Sequence, residues 1–451
     1  MKIQLTFIST LFFATISLAQ QSDKIIAQQV DSLLNDAFAK GIFSAQVIIS
    51  HNSENVYYQD FGFADWKTKR AFDKNTLFNI GSLNKQFTQE IIHQLVSENK
   101  LLYTDPLSKY VDLFPIEIGS KITIQQLLDM KAGLGDYFQS QKFEEIQMKD
   151  FSLKDLLDII KSEPLLFEPG TNQRYSNSGY VVLGALIEKI TNQSFQKNLS
   201  DRIAKPLGLE NVFYTKAEKT MQMNRAYGTE IAFDGNKNSF DDVSNSTPAG
   251  GIYMDIVDLL KFTEAKLKSA MPSGKKYGSG ISAGGTPIWN SVLCYNEKNG
   301  YAFVVMANTG KIADQLAPRI NSIIKGEPYQ PPVELSFNLL FEKIINEKGF
   351  EYVKSNVKKL AEQAKLPYDD HFLNFFGYHF LEENKGDMAI GLFKINVDLF
   401  PKIANTFDSL AEAYLKTGDK INALKNYKMV LQLAPNNEQV KKIVSNLENG
   451  K

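Results

Sequence analysis

At 451 residues the chain exceeds the size at which one hydrophobic core keeps growing, so two folded units are expected. Its 43% hydrophobic and 22% charged residues are those of a globular protein, and 50 Lys plus Arg against 51 Asp plus Glu leave a formal charge of -1. That balance removes the electrostatic case for a nucleic-acid partner and leaves a small molecule or a peptide as the expected substrate. A single cysteine, Cys294, excludes an intramolecular disulfide, a thiolate zinc cluster and a lipidated N-terminal cysteine.

The chain opens with Lys2, an apolar run from Leu5 to Leu18 and the small-x-small sequence Ser17-Leu18-Ala19, which reads as an export signal over residues 1–19. The run is shorter than the roughly 20 residues of a spanning helix, so no membrane span is expected and the mature protein belongs in the periplasm or outside the cell. Residues 43–66 alternate through Val47-Ile48-Ile49 and Val56-Tyr57-Tyr58 about a polar turn, the pattern of a hairpin. Helical periodicity follows at 84–98, 123–131, 179–191 and 255–268. A second hairpin pairs 291–295 with 302–306 across Glu297-Lys298-Asn299-Gly300. The expected architecture is α/β (α+β): an antiparallel sheet built from both ends of a 20–325 domain, flanked by helices and holding a helical insertion.

Residues 326–336 are rich in proline and form the expected linker. Beyond it, over 337–451, Gly377, Ala389, Phe393 and Pro401 recur as Ala411, Ala423, Tyr427 and Pro435, each displaced by 34 residues. That is the tetratricopeptide period, in which small residues let paired helices pack closely. Helices expected within 337–366 would cap the array, and such a domain offers a surface for a protein or peptide partner.

Ser82 and Lys85 stand three apart at the start of a helical pattern and so share a face. A serine hydroxyl becomes a nucleophile when a base takes its proton, and lysine, with a pKa near 10.4, serves at pH 7 only if burial or a second cation depresses it. Tyr175-Ser176-Asn177 forms a YxN element ahead of another helix. With FGFADWKTKRAFDKNTLFNIGSLNKQFT, LLFEPGTNQRYSNSGYVVLGALIEKITNQSF and PAGGIYMDIVDLLKF, the chain resembles serine β-lactamases of class C, DD-carboxypeptidases and related esterases over roughly residues 30–310. The resemblance implies a β-lactamase/transpeptidase-like fold and no cofactor or metal. It also implies acylation of Ser82, general acid and base work shared by Lys85 and Tyr175, and an Asn177 that holds the substrate's amide side chain.

The family's third motif, a Lys or His, a small residue and Gly, aligns on Ser282-Ala283-Gly284, so a serine replaces the cation. Lys276-Tyr277-Gly278 is a rival placement, six residues too early for the hairpin that follows. Loss of the cation weakens the case for a carboxylate-bearing β-lactam or a D-Ala-terminated peptide and favours esters or neutral amides. The Gly285 amide, paired with that of Ser82, would still form an oxyanion hole. Gly280–Gly284 also matches GxSxG, but a hairpin follows where a nucleophile elbow needs a helix and a downstream histidine. His51 reads as a turn residue and His93 as a helix-surface residue about 16 Å from Ser82. The four histidines form no metal-ligand pattern. The expected function is a secreted serine hydrolase acting through an acyl-enzyme. The alternative is a catalytically weakened scaffold of the same fold whose repeat domain recruits a partner.

Overall fold

The computed structural model describes residues 4–39, 44–147, 149, 151–231, 237–241, 243, 245–286, 288–310, 312–329, 336–364 and 366–448. The chain divides into two compact units, Met1–Ala232 with Asn236–Pro332, and Val333–Lys451 with Phe233–Gly235. Residues 330–335 of the expected linker lie outside the described residues.

In the first unit helix α1 (Gln4–Ala39) precedes strands β1 (Ala45–His51) and β2 (Glu54–Phe61). Then come α2 (Asn84–Ser97), α3 (Ile124–Leu128), α4 (Asn177–Thr191) and α5 (Ile256–Leu267). Strands β3 (Gly280–Thr286), β4 (Trp289–Asn296) and β5 (Tyr301–Ala307) and helix α6 (Ile312–Lys325) complete it. The five strands form one antiparallel sheet in the order β2-β1-β5-β4-β3, so both expected hairpins are present and the two chain ends meet where β1 pairs with β5.

Local chemistry explains several boundaries. Asn52 and Ser53 both have positive φ, the twist of a two-residue hairpin turn that joins β1 to β2. Thr123 starts α3 as the N-cap of a box with Gln126, and the helix stops at Leu128, short of the expected 131, with Met130 at positive φ just beyond. Asp255 caps α5 by accepting from the Asp258 amide. The central strand β5 is buried throughout because both sheet faces are covered, α5 on one side and α1 with α6 on the other. This is why its sequence runs apolar without alternation. Asp23 accepts from Tyr301 and bonds His51 Nδ1 at 2.8 Å, and Tyr57 donates to Asp31 at 3.0 Å, so the second half of α1 is pinned to the sheet. Among the described residues, no helix is long and apolar enough to cross a membrane.

Among the described residues the regular structure of the second unit is helical: α7 (Ser336–Ala364), α8 (Asp370–Glu382), α9 (Gly386–Leu399), α10 (Ala404–Lys416), α11 (Lys420–Leu433) and α12 (Glu438–Glu448). The pair α8–α9 recurs as α10–α11 with both starts and both ends displaced by 34 residues. Gly349, at φ 77°, breaks α7 into two helices, so a third pair stands where the cap was expected. A Cβ on Gly377 would lie 2.4 Å from the Phe393 ring, and Ala389, Ala411 and Ala423 are fully buried. Replacing Gly377 with valine should therefore push Phe393 aside and cost on the order of 1–3 kcal/mol of local stability. Hydrogen exchange read by mass spectrometry should show faster exchange in residues 370–399; unchanged protection there would contradict the packing.

Candidate active site

Ser82 stands in a single helical turn, Gly81–Leu83, that leads into α2. Gly81 has a φ of +52°, and a Cβ there would lie 2.3 Å from the Gly285 amide nitrogen. A Cβ on Gly284 would lie 2.4 Å from the Leu83 amide nitrogen and 2.6 Å from that of Ser82. Strand β3 therefore backs onto the serine turn with no side chain between them, which brings the Gly284–Gly285 backbone beside the Ser82 amide.

Lys85, 5% exposed, directs Nζ to three oxygens: Ser82 Oγ at 2.9 Å, Asn177 Oδ1 at 2.6 Å and the Ala249 carbonyl at 2.7 Å. A neutral amine has two N–H bonds and one lone pair. Asn177 Oδ1 and the Ala249 carbonyl can only accept, so they take the two N–H bonds and the lone pair is left for the Ser82 hydroxyl. The Asn177 amide is oriented from its far side, where Nδ2 donates to Asp136 Oδ2 at 2.7 Å. Tyr175 Oη lies 2.6 Å from Ser82 Oγ and 3.4 Å from Asn177 Oδ1.

The Ala249 carbonyl is held in place by α2 itself. Asn84 Nδ2 donates to the Thr247 carbonyl, Lys85 to that of Ala249 and Thr88 Oγ1 to that of Pro248, so three consecutive carbonyls are fixed by one helix face. Gly184 of α4 leaves room for Pro248, whose Cγ would stand 2.1 Å from a Cβ at that position.

Burial pushes the Lys85 ammonium down to about 7, opposed in part by the Asp136 carboxylate. Burial also raises the Tyr175 phenol above its usual value, with the Ser82 hydrogen bond working in the other direction. Near neutral pH the amine can thus give up its proton while the phenol keeps its own, a separation that divides base from acid. The depression expected of Lys85 comes from burial and not from a second cation.

Of the residues singled out in the sequence, Ser82, Lys85, Tyr175 and Asn177 converge, and Gly284 and Gly285 adjoin them through the backbone. Ser282 stands half-buried in β3, paired with Leu293, and among the described residues no hydrogen bond joins its side chain to those four. The rival Lys276-Tyr277-Gly278 precedes β3, with Tyr277 Oη donating to Glu90 at 3.0 Å. Ser282 sits in mid-strand, where no nucleophile elbow exists. His93, expected on the surface, is instead buried between Tyr103 Oη at 2.7 Å and Lys275 Nζ at 2.9 Å. Burial, Lys275 and Lys266 hold its imidazole down to about 3, hence neutral. The physical reason is that α2 is enclosed on nearly every side, so periodicity gave it an outer face that it does not have. Asp136 and the Ala249 carbonyl were missed: Asp136 lies in no motif that the sequence offered, although in the structure it also caps a turn by accepting from the Phe138 amide, and a backbone carbonyl carries no residue signal. Among the described residues, no group of three or more His, Cys, Asp or Glu is placed to hold a metal ion.

The sequence profile of the beta-lactamase family matches residues 23–323. The chain belongs to the beta-lactamase family. This family of serine hydrolases has as a curated relative Protein flp of Staphylococcus aureus strain MRSA252, 26% identical over 378 residues that cover 75% of this chain and 70% of that protein. The structure of the octameric penicillin-binding protein homologue from Pyrococcus abyssi superposes with a TM-score of 0.59 at 20% identity, covering 71% of this chain and 81% of that one. The penicillin-binding protein of Bacillus halodurans superposes with 0.58 at 22% identity, over 65% and 98%. The first unit of this beta-lactamase family member thus has the β-lactamase/transpeptidase-like fold, and helices α7 to α12 of the second unit lie beyond the profile.

Replacing Asp136 with asparagine removes the one charge that holds the Lys85 pKa up. NMR of lysine labelled at Cε should show Lys85 titrating near pH 7 in the native chain and at lower pH, by up to about one unit, in the variant. A shift to higher pH would refute the assigned electrostatics.

Proposed function

We propose that this chain is a secreted or periplasmic serine hydrolase that forms an acyl-enzyme on Ser82 and acts on an ester or an amide. The observation that carries this reading is the buried Lys85 amine, whose two N–H bonds are taken by fixed acceptors and whose lone pair is left for Ser82 Oγ. As a substrate carbonyl arrives, the Ser82 proton passes to Lys85 and Oγ bonds to the carbonyl carbon. The Ser82 and Gly285 amides face the oxygen that becomes negative. When the carbon–heteroatom bond breaks, Tyr175 gives its phenolic proton to the leaving group and takes back the proton that Lys85 accepted from Ser82, which restores the neutral amine and the phenol. A water then takes the place of the leaving group, and the same groups in reverse roles release the acid.

Ser282, where a cation would grip a carboxylate, weights the substrate towards esters and neutral amides. The scaffold alternative draws on that same serine, but a buried lysine held near pH 7 against a serine and a phenol is an arrangement that a binding protein has no need to maintain. Residues 1–19 serve as the export signal in this reading. The second unit, with its helix pairs recurring every 34 residues, is a tetratricopeptide-like module for a protein or peptide partner.

A fluorophosphonate probe followed by intact-mass analysis should label the native protein once and leave Ser82→Ala unlabelled; labelling that persists in the variant would sink the assignment. The base must be uncharged, so the labelling rate and kcat/KM should rise with pH through about 7 with unit slope and then level off. The direction follows from the depressed lysine: the active form is lost as pH falls through that value. Lys85→Arg, charged at every pH, should lower kcat/KM by about 10²–10⁴.

A further inference from the structure

On the hydrolase reading, the developing oxyanion is met by two amides from different elements: that of Ser82, at the head of α2, and that of Gly285 in β3. The hole therefore exists only while helix and strand keep one spacing. A shift of one amide by about 1 Å takes it out of hydrogen-bond range. Strand β3 is the edge of its sheet and, among the described residues, pairs with β4 alone. The stretch that feeds it, residues 273–279, is neither helix nor strand.

What holds that stretch is Glu90, fully buried and about two turns along α2 from Ser82. Its Oε1 accepts from the Ser273 amide at 2.7 Å and from Gln94 Nε2 at 3.2 Å, and its Oε2 from Ser273 Oγ at 2.9 Å and Tyr277 Oη at 3.0 Å. A carboxylate away from water is tolerated only where its lone pairs are met, and here three of the four donors come from the stretch that feeds β3. Tyr277 is gripped twice, since its ring face also lies 4.2 Å from Lys266 Nζ of α5. One turn further along α2, His93 meets Lys275 Nζ at 2.9 Å. The stretch is thus fastened by side chains to the helix that carries the nucleophile, independently of strand pairing. Among the described residues, none of these groups bonds to the side chains of Ser82, Lys85 or Tyr175.

We propose that Glu90 is a positioning residue: by clamping the stretch that feeds β3 onto α2, it holds the Gly285 amide in line with that of Ser82 and so governs stabilisation of the oxyanion, not proton transfer. Tyr277, which the sequence offered within a rival third motif, is the strand-side half of this clamp. The close approaches at Gly81 and Gly284 leave the spacing little slack, and the clamp removes what freedom an edge strand would otherwise keep.

The test follows p-nitrophenol release by the full-length protein from p-nitrophenyl acetate and from its thionoester, in which sulfur replaces the carbonyl oxygen. The same bonds form and break, but sulfur is a weak hydrogen-bond acceptor, so only the oxygen ester draws fully on a well-placed hole. One aligned donor is worth about 10²–10³ in kcat, so the native protein should favour the ester by ~10²-fold or more. Glu90→Gln keeps the size of the side chain but loses its charge and one acceptor oxygen. In it the ester's kcat and the ester-to-thionoester ratio should each fall at least ~10-fold, with KM within about threefold of native. The pH midpoint should stay near 7, because Lys85 keeps its own partners. Tyr277→Phe, which retains the ring beside Lys266, should lower the ratio in the same direction by less, and it decides the matter should Glu90→Gln fail to fold. A native ratio near one, or a ratio unchanged in both variants however far the overall rate falls, overturns the proposal. A midpoint displaced towards that of an ordinary lysine does the same, since it marks α2 loosened as a whole. Fluorophosphonate labelling separates the two levels: labelling with unchanged ratios refutes only the role of Glu90, whereas absence of labelling and of any p-nitrophenol release from the native protein refutes the hydrolase reading beneath it.

Discussion

A primary amine kept out of water among oxygens is the constraint on which the first unit is organised. Holding Lys85 near pH 7 disfavours its charged form by on the order of 5 kcal/mol relative to an exposed lysine, and the surrounding fold has to sustain that penalty. It does so with elements far apart in sequence. Helix α2 brings the amine, α4 brings Asn177, the 247–249 segment brings a carbonyl, and glycines at 81 and 284 let β3 close against the serine turn. Each is a case of backbone or a small residue making room where a larger group would keep the chemistry apart.

The same helix carries a second polar system that takes no part in proton transfer. Glu90, fully buried, accepts from the Ser273 amide and hydroxyl and from Tyr277. Lys266 donates to Gln86 and lies 4.2 Å from the Tyr277 ring centroid, with burial pushing its ammonium down to about 8. These contacts, with His93 and Lys275, tie α2 to the segment that feeds β3. Buried polar groups that are all satisfied specify one arrangement more sharply than an apolar contact of equal area, and here the arrangement specified is the register of β3 beside Ser82.

In the second unit the constraint is steric and not electrostatic. Glycine at 377 and alanines at 389, 411 and 423 sit where two helices approach, and Phe393 and Tyr427 fill the adjoining space. Pro401 and Pro435 each follow two residues after the end of a helix, at Leu399 and Leu433, where a residue lacking an amide hydrogen ends the run without breaking a hydrogen bond. The repetition arises because one helix pair cannot bury its apolar face alone.

The sequence by itself determined what depends on neighbours along the chain. Strand alternation, hairpin turns, the Ser82–Lys85 spacing on one helix face and the 34-residue recurrence are all local periodicities, readable without knowing what packs where. The tertiary structure alone decided which donor meets which acceptor. The partners of Lys85 lie 92 and 164 residues away, and that of the Asn177 amide 41 residues back. For the same reason Asp136 drew no notice and His93 looked like a surface residue. A side chain's neighbours along the chain fix its direction, but its charge state and its role follow from groups brought close by folding, and no periodicity encodes those.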